Sequence, residues 1–459
     1  MKNCLLMLLG LLCLGAWPAA ARIPPSRHVW VITEENHSFE EAAASMPYVM
    51  SLASQYGVAT QYYADMHNSI SALMHLTAGA TVTTDDSTPD TFNVDNIVRH
   101  LVQKNLTFRS YQQGLPRAGF LGLWSVTYVK RHNPLAYFTD VADSNLRFNL
   151  VPLPQLASDL AHHTAGNYNY VTPDLDNDAH DGSLQAADEW LRQNLPPILA
   201  QPEFQTGGDG LLFITFDEGN LGDVDFRCNA TSKSQDCGGR VLTVVIGPNV
   251  KRGFRSGTFY NHESLLATAC QALGTDGCPG KAEHARAMDD FFIAPLSASP
   301  ARATVASGQP AQYALTIQPV SGFFNADVRF SCGKLPSGGE CYFSPASVRP
   351  GQSGASTTLT VSLPARDAGM RPLARPDLQF ALFLGLPGLV LIPAAGRKRK
   401  LWIRLFAAVA AFLACAGCGG APTPTLAHSS SRRQTYTINV TAQSPSASYS
   451  VPVTLQVTP

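Results

Sequence analysis

Short apolar runs alternate with longer amphipathic stretches through residues 22–295, and this alternation limits the possible fold more than any other feature of the chain. The strand-like runs are 28–33, 169–172, 210–216 and 241–247. The helix-like stretches include 47–56, 95–104, 183–195 and 263–273. Strands that alternate with helices favour a largely parallel sheet covered on both faces. We therefore predict an α/β fold, an α/β/α sandwich, for residues 22–295.

The pattern changes near Pro295, where the helical spacing ends. Residues 296–363 contain short runs in which apolar and polar side chains alternate, separated by Gly, Pro and Ser, and 434–459 shows the same pattern. Such runs are typical of an all-β sandwich. The segments 334–338 and 341–345 resemble the signature of bacterial immunoglobulin-like repeats, which implies an immunoglobulin-like sandwich. Because 296–363 alone has too few strands to close a sandwich, we predict that 434–459 supplies its final strands.

Two apolar segments, 378–396 and 405–418, interrupt this second module and flank the basic run 397–400. By the positive-inside bias, the segments predict a membrane hairpin over 378–418 whose basic loop is cytoplasmic. The second segment is short for a membrane span. A loosely inserted or processed sorting segment is therefore the alternative.

The N-terminus indicates export. Lys2 precedes an apolar core at 5–17, and small residues up to Ala21 offer a cleavage site, so residues 1–21 are predicted to be a signal peptide. An uncleaved anchor is the alternative. Export to the periplasm or cell surface would allow three short-loop disulfides, with reduced thiols as the alternative. The predicted pairs are Cys228/Cys237, Cys270/Cys278 and Cys332/Cys341.

Composition excludes some classes of partner. Charged residues make up 15% of the chain and the net charge is −1, while 45% of residues are hydrophobic. A strongly basic nucleic-acid binder would carry a clear positive excess. We therefore expect a large core and no nucleic-acid partner.

Polar side chains that suit metal-assisted chemistry cluster in segments of the first domain that follow strand-like runs or lie between them. They are Glu35, Asn36, His67, Ser69, Asp174, Asp178, His180, Asp217, Glu218 and His262. Oxygen ligands suit a hard or borderline divalent cation, and a hydroxyl with histidines supplies a nucleophile and acid/base groups. Each segment alone is more typical of a solvated loop, a helix cap or a structural histidine. It is the combination that predicts an active site.

These segments resemble, in order, the motifs of the bacterial phosphoesterase family that includes acid phosphatases and phospholipases C, within the alkaline-phosphatase superfamily. The matching stretches are 35–40, 67–79, 172–182, 215–219 and 260–266. The resemblance covers about residues 27–292. It implies an alkaline-phosphatase-like fold for the first domain and a phosphate-ester substrate.

The resemblance also implies roles for individual residues. It implies that the ligands of a divalent metal ion, whose identity it leaves open, are Glu35, Asn36, Asp217 and Glu218. Ser69 stands at the nucleophile position and would form a phosphoseryl intermediate. Ligands of a second metal in two-metal relatives correspond to Asp174, Asp178 and His262. His67 and His180 would contact phosphate or act as acid and base, and His132 would lie in the pocket.

Two positions depart from the family pattern. Ala72 replaces an asparagine that commonly holds a phosphoryl oxygen, and Arg240 stands where a histidine is often found. An arginine could instead bind phosphate bidentately. The first hypothesis is an exported, metal-dependent phosphoesterase most like an acid phosphatase. The alternatives are a phospholipase C acting on phospholipid head groups and a surface binding protein with a decayed active site.

Overall fold

The computed structural model describes residues 23–221, 224–225, 227–229, 237–320, 322–365 and 433–459. The predicted signal peptide at 1–21 and the predicted hairpin at 378–418 lie outside these residues. Within the part of the chain that is described, every helix is too short or too polar to cross a bilayer.

The first domain contains fourteen strands and eight α-helices among its described residues. The strands are β1 (Val29–Glu34), β2 (Gly57–Ala59), β3 (Tyr62–Tyr63), β4 (Phe108–Gln112), β5 (Trp124–Ser125), β6 (Tyr128–Val129), β7 (Leu150–Pro152), β8 (Tyr168–Thr172), β9 (Leu211–Phe216), β10 (Val224–Asp225), β11 (Cys228–Asn229), β12 (Thr243–Ile246), β13 (Phe254–Ser256) and β14 (Tyr260–Asn261). The helices are α1 (Phe39–Ser45), α2 (Pro47–Gln55), α3 (Ser69–Ala78), α4 (Ile97–Gln103), α5 (Thr139–Ala142), α6 (Gln155–His162), α7 (Leu184–Leu199) and α8 (His262–Leu273). Short 3₁₀ helices cover Lys130–His132, Pro134–Tyr137, Asn145–Asn149, Pro202–Phe204, Gly280–Glu283 and Asp289–Phe291.

Eight of these strands form one mixed sheet, in the order β13-β2-β12-β9-β1-β8-β4-β7. The run from β9 to β7 is parallel, and β12 is antiparallel to both of its neighbours. All the residues of β1, β8 and β9 are buried, so both faces of the sheet are covered. The predicted α/β class and largely parallel sheet are therefore confirmed, with β12 as the exception.

Local sequence explains where the helices near the site begin and end. Asn68, Asn96 and Asn261 stand at the N-caps of α3, α4 and α8, and each side chain accepts a hydrogen bond from a backbone N–H in the first turn. This cap satisfies a donor that has no partner within the helix. Gly79 and Gly274 end α3 and α8 with positive φ, the conformation that glycine adopts without strain. Helices α3 and α8 pack against each other.

The C-terminal module consists of two β-sheets among the described residues. Its strands are β15 (Leu296–Ser299), β16 (Arg302–Ala306), β17 (Ala311–Ile317), β18 (Val328–Cys332), β19 (Glu340–Ser344), β20 (Ser347–Val348), β21 (Ala355–Ser362), β22 (Gln434–Gln443) and β23 (Ser448–Thr458). One sheet has the order β15-β17-β21-β19, and the other has the order β16-β23-β22-β18-β20. The predicted C-terminal β class is confirmed.

Strands from both sides of the interruption pair in the second of these sheets. β23 is parallel to β16 and antiparallel to β22, which in turn pairs with β18. Alternate side chains of these strands enter a core separate from that of the first domain.

Two of the three predicted disulfides are confirmed by the structure. Cys270 is bonded to Cys278, at the end of α8, and Cys332 is bonded to Cys341, between β18 and β19. The side chain of Cys228 lies outside the description, so its predicted pairing with Cys237 stays a prediction.

Candidate active site

The candidate site lies where three neighbouring parallel strands end. β1 stands between β8 and β9, and Glu35, Asp174 and Asp217 follow the carboxyl ends of these strands. Backbone hydrogen bonds join the segments: Glu35 N donates to Asp178 O at 2.8 Å, and Asp217 N donates to Glu34 O at 3.0 Å. In parallel α/β sheets, this edge is where ligands bind.

The predicted nucleophile stands at the first position of α3. The hydroxyl of Ser69 is buried and donates to Glu35 Oε2 at 3.0 Å. Asn68 adopts a φ of 137° and caps the helix, and Asp86 accepts hydrogen bonds from Asn68 Nδ2 (2.6 Å) and Ile70 N (3.2 Å). The positive end of the helix dipole therefore lies at Ser69. No pattern in the sequence distinguishes Asp86, because it is one carboxylate in a polar loop.

Glu35, His132 and Asp178 form a compact buried group, which we name the site cluster. One potential ligand atom from each lies within 4.8 Å of those of the others. His132 Nδ1 is 3.0 Å from Asp178 Oδ2, and its Nε2 is 3.4 Å from Glu35 Oε2. The sequence placed His132 in the pocket without a role, and the structure gives it a bridging position between two carboxylates.

Asp217 and Glu218 approach this cluster from the end of β9. Asp217 Oδ1 accepts from the backbone N–H of Asn36 at 3.0 Å and from that of Glu218 at 2.6 Å. Glu218 Oε2 lies 2.8 Å from Nδ1 of the fully buried His67. The positive φ of Asn36, 53°, turns the chain sharply after Glu35.

Several buried polar atoms of these residues have no hydrogen-bond partner among the described residues. They are Glu35 Oε1, Asn36 Oδ1, Asp217 Oδ2, His67 Nε2 and His132 Nε2. A buried polar atom without a partner carries a desolvation cost of roughly 1–3 kcal/mol. Three of the five atoms are oxygens from predicted metal ligands, and oxygen is the donor that a hard or borderline divalent cation prefers. The donor set therefore fits a divalent cation.

The electrostatics of the site agree with this fit. Burial, and then the charge of Glu218, raises the pKa of Asp217 to about 8. Burial raises the pKa of Asp178 to about 7, and burial together with the charge of Asp217 raises that of Glu35 well above its ordinary value. These shifts mean that several carboxylates repel one another in a poorly solvated space. A bound cation would offset that repulsion.

Asp174 and His180 lie at the edge of this arrangement. Asp174 accepts from Thr127 Oγ1 at 2.7 Å and from Asn177 Nδ2 at 2.6 Å. His180 is half-buried; its Nδ1 is 2.8 Å from Asp181 Oδ1, and its ring lies 5.5 Å from the ring of His132. The structure thus brings His180 beside the site cluster, whereas both oxygens of Asp174 bind neighbouring side chains.

His262 lies behind Asp217. Its Nδ1 is 3.0 Å from Tyr62 Oη, and its Nε2 is 2.6 Å from the backbone oxygen of Asp217. Burial lowers its pKa to about 3, so the ring is neutral. Nε2 therefore supports the loop that carries Asp217, while Nδ1 fixes the ring against Tyr62, which makes His262 a support for that loop in this structure.

The two residues that depart from the family pattern, Ala72 and Arg240, lie in different surroundings. Ala72 is fully buried within α3. Arg240 stacks over the ring of Phe39 at 4.5 Å, donates to Thr60 O at 3.0 Å and pairs with Glu40. The guanidinium of Arg240 therefore joins α1 to the strand region, and phosphate binding is not needed to explain it.

The chain belongs to the Phosphoesterase family, whose model matches residues 42–274, just over half of the sequence. The predicted resemblance is confirmed at this level, and with it a place among the hydrolases related to acid phosphatases.

Individual relatives are more distant. The chain is 29% identical over 257 residues to a probable acid phosphatase of Kluyveromyces lactis, covering 53% of this chain and 57% of that protein. It is 28% identical over 263 residues to the phosphatidylinositol-3-phosphatase of Mycobacterium tuberculosis, covering 56% of this chain and 80% of that protein. The chain thus spans little more than half the length of the curated acid phosphatases it matches.

Among solved structures, murine ectonucleotide pyrophosphatase/phosphodiesterase 5 is similar over 58% of this chain and 100% of its own, with a TM-score of 0.35 and 10% identity. We draw nothing from a likeness at that level.

Proposed function

We propose that this chain is an exported, metal-dependent phosphoesterase that hydrolyses phosphate monoesters through a phosphoseryl intermediate on Ser69. One observation carries the proposal. The Ser69 hydroxyl donates to Glu35, and the oxygens of Glu35, Asn36 and Asp217 beside it include buried atoms without a partner in the described chain. A nucleophile next to such a donor set suits ester hydrolysis assisted by a cation.

Glu35, Asn36 and Asp217 would hold the cation, with Glu218 near them. When bound, a divalent cation would favour ionisation of a hydroxyl and offset charge on phosphoryl oxygens. Glu35 orients the Ser69 oxygen by accepting its hydrogen bond, and the N-terminus of α3 favours negative charge at that oxygen.

Proton transfer is assigned to His67. Glu218 lies at Nδ1 of His67 and orients the ring, whose Nε2 has no partner among the described residues. As the Ser69 oxygen bonds to phosphorus, its proton would pass to Glu35 Oε2, which accepts its hydrogen bond, and Nε2 of the protonated His67 ring would give its proton to the ester oxygen as it leaves. Water would then cleave the phosphoserine, with one water proton passing to His67 and the proton on Glu35 returning to the Ser69 oxygen. We expect His180, which lies beside the site cluster, to contact the substrate from the rim.

Export is supported by the two disulfides seen in the structure and by the predicted signal at 1–21. Tethering to a membrane through 378–418 remains part of the proposal.

The test measures hydrolysis of p-nitrophenyl phosphate by purified protein with and without added divalent cations. We expect Ser69→Ala to lower kcat by roughly 10³-fold or more, as for other covalent nucleophiles. Asp217→Ala should abolish the response to cations. Ser71→Ala is the matched control. Ser71 stands two residues after Ser69 on α3, and its hydroxyl donates to Thr83 O instead of to a residue of the site cluster.

Three results would separate the competing functions. Wild-type activity in Ser69→Ala would reject the mechanism. Faster release of head groups from phosphatidylcholine than of phosphate from p-nitrophenyl phosphate would favour a phospholipase C. An ion-free protein with no esterase activity would favour a binding protein.

A further inference from the structure

The hairpin formed by β5 and β6 exposes large apolar side chains from the residue before β5 to its turn. Leu123, Trp124 and Val126 have 38%, 72% and 90% of their surface exposed, and we name these three residues the apolar tip. The strands are two residues long and pair Trp124 with Val129. Isolated exposed apolar side chains are common, but three within four positions on one short hairpin are not.

Val126 also adopts an unfavourable backbone conformation. Its φ is 52°, in the left-handed region that β-branched residues avoid. Glycine or asparagine would be expected at such a turn position. Strained residues that add nothing to the packing are found mainly where function requires them. Because the side chain is almost wholly exposed, the described structure gives no packing reason for a valine here.

Three arginines lie on segments next to the hairpin. Arg117 lies over the ring of Phe120, which contacts Tyr128 of β6, and Arg147 lies over Phe148. Arg131 is the second residue after β6, and its Nη2 is 3.3 Å from Nε2 of His180. Among the described residues, Arg117, Arg131 and Arg147 form no ion pair with a carboxylate, and we name these three the arginine collar.

The charge of the surrounding sequence agrees with this arrangement. The whole chain is nearly neutral, with 33 Lys and Arg against 34 Asp and Glu. The stretch 96–139, which contains the hairpin, has six Lys and Arg and not one Asp or Glu. Arg99, Lys104 and Arg109 pair with carboxylates from outside this stretch, and Lys130 is buried. Among the described residues, the cations of this stretch that remain without a carboxylate partner are therefore Arg117 and Arg131, on either side of the hairpin in the sequence.

The hairpin is connected to the candidate site. Thr127 donates from Oγ1 to Asp174 Oδ2, and Leu175 N donates to Thr127 O at 3.1 Å. These bonds attach the turn to the loop that carries Asp178 of the site cluster. The apolar tip is thus held beside the carboxyl edge of the sheet, the side on which Ser69 lies.

We propose that the apolar tip inserts into the interfacial region of an anionic lipid bilayer, with the arginine collar contacting the lipid phosphates. Tryptophan with aliphatic residues beside arginine is the combination that favours the membrane interface. Three side chains on so short a hairpin are too few for a stable protein–protein contact, which usually buries about 1,200–2,000 Å². Burial of three large side chains with electrostatic attraction is sufficient for reversible binding to a membrane.

Fluorescence of Trp124 tests the insertion. The full chain and its Trp124→Phe variant are mixed with vesicles whose acyl chains carry bromine, and the difference between the two signals isolates Trp124. We expect quenching and a blue shift with phosphatidylcholine–phosphatidylglycerol vesicles, and weaker quenching with phosphatidylcholine alone. Insertion through 378–418 does not produce this signal, because quenching requires Trp124 itself to reach the acyl chains. An unquenched Trp124 would overturn the proposal.

Three variants sharpen the test. Val126→Gly removes the side chain and relieves the strained φ, so it should fold at least as well and reduce quenching severalfold. Arg117→Gln with Arg147→Gln should remove the preference for anionic vesicles. Val102→Ser is the control, since Val102 is 47% exposed on α4, away from the tip, and should leave quenching unchanged. Shielding of Trp124 that rises with protein concentration in the absence of lipid would overturn the proposal in favour of contact between copies.

One consequence rests on the proposed function. If Ser69 acts as proposed, Val126→Gly should slow hydrolysis of phosphatidic acid in vesicles severalfold and leave p-nitrophenyl phosphate hydrolysis unchanged. Equal effects on both substrates would overturn the link between the tip and surface-bound substrate. If neither substrate is hydrolysed while Trp124 is quenched, the proposed function fails and the membrane contact stands.

Discussion

Two buried groups, each of two carboxylates and a histidine, lie in the first domain and differ in how their polar atoms are satisfied. The site cluster is Glu35, His132 and Asp178, and the second group, which we name the brace cluster, is Asp65, His75 and Glu263. In both, the potential ligand atoms lie within 4.8 Å of one another. By residue type and spacing alone, both could hold a metal ion.

The brace cluster already has partners for its side chains. His75 Nδ1 is 2.9 Å from Glu263 Oε1, and its Nε2 is 2.9 Å from Thr81 Oγ1. Asn261 Nδ2 donates to both Asp65 and Glu263, at 2.8 and 3.1 Å. Since His75 lies on α3 and Glu263 on α8, these bonds join the helix that carries Ser69 to its neighbour.

The pKa shifts separate Glu263 of the brace cluster from Glu35 of the site cluster, whereas burial raises the pKa of Asp65 in the brace cluster as well. Burial alone would raise the pKa of Glu263, but the hydrogen bond and charge of His75 hold it below its ordinary value. In the site cluster, burial and the charge of Asp217 raise the pKa of Glu35. The difference teaches that unsatisfied buried atoms, rather than the kinds of residue present, distinguish a ligand site from a structural ion pair.

The largest expected effect comes from neutralising one carboxylate in each cluster. Glu35→Gln should lower kcat/KM by roughly 10³-fold, because it weakens both cation binding and the orientation of Ser69. In the metal-free protein, Glu35→Gln should raise the free energy of unfolding by about 1 kcal/mol, because it removes a carboxylate that neighbouring carboxylates repel. Glu263→Gln should do the reverse, keeping activity within about tenfold and lowering stability by about 1–3 kcal/mol.

Enzyme assays and thermal melts in chelator measure these two effects. Stability changes of the same sign in both variants would remove the distinction between the clusters.

Removing the histidine of the brace cluster should have the next largest effect. His75→Ala leaves the buried Glu263 carboxylate without its main partner, so the free energy of unfolding should fall by about 2–4 kcal/mol. His100→Ala is the control, because His100 pairs with Asp95, whose side chain is 47% exposed, and such pairs contribute about 0–1 kcal/mol. Urea melts of His75→Ala, Glu263→Gln and the double variant would give the coupling energy. A coupling near zero would mean that the two side chains do not stabilise each other.

A titration with divalent cations addresses the site cluster. A cation at one hundred times its Kd should stabilise the wild-type protein by about 2.7 kcal/mol, because it binds the folded state only. Asp217→Asn should lose this stabilisation, whereas Glu263→Gln should keep it. Thermal melts with and without each cation provide the measurement. Loss of the response in Glu263→Gln would place the ion in the brace cluster instead.

Much of the fold could be predicted from the sequence because its signals are local. The runs at 28–33 and 210–216 became β1 and β9, and the helix at 263–273 became α8, with ends shifted by one residue. The antiparallel direction of β12 could not be predicted in this way, because strand direction depends on the path of the chain between strands.

The site was partly predictable for a related reason. Glu35 and Asp217 directly follow buried strands, so their position at one edge of the sheet follows from the alternation of strands and helices. The pairing of His132 with Asp178, and of Asp86 with Asn68, joins loops whose approach is set by tertiary packing. The bonds that join His262 to Tyr62 and to the backbone oxygen of Asp217 have the same origin.

The smallest effect on the site is expected from a change outside its domain. Deleting 434–459 removes β22 and β23, which leaves β16 without a partner and β18 with only β20, so the C-terminal module should lose its cooperative melting transition. Both clusters lie in the first domain, which has its own core. The stabilisation by cations and the value of kcat should therefore stay within about twofold of wild type. Calorimetry and the phosphatase assay would measure both, and an unchanged melt would show that these strands are not needed for the module. A large fall in kcat with unchanged stabilisation by cations would instead mean that the second module contacts the substrate. The cation ligands would then be intact in the truncated protein, so loss of the cation could not explain the fall.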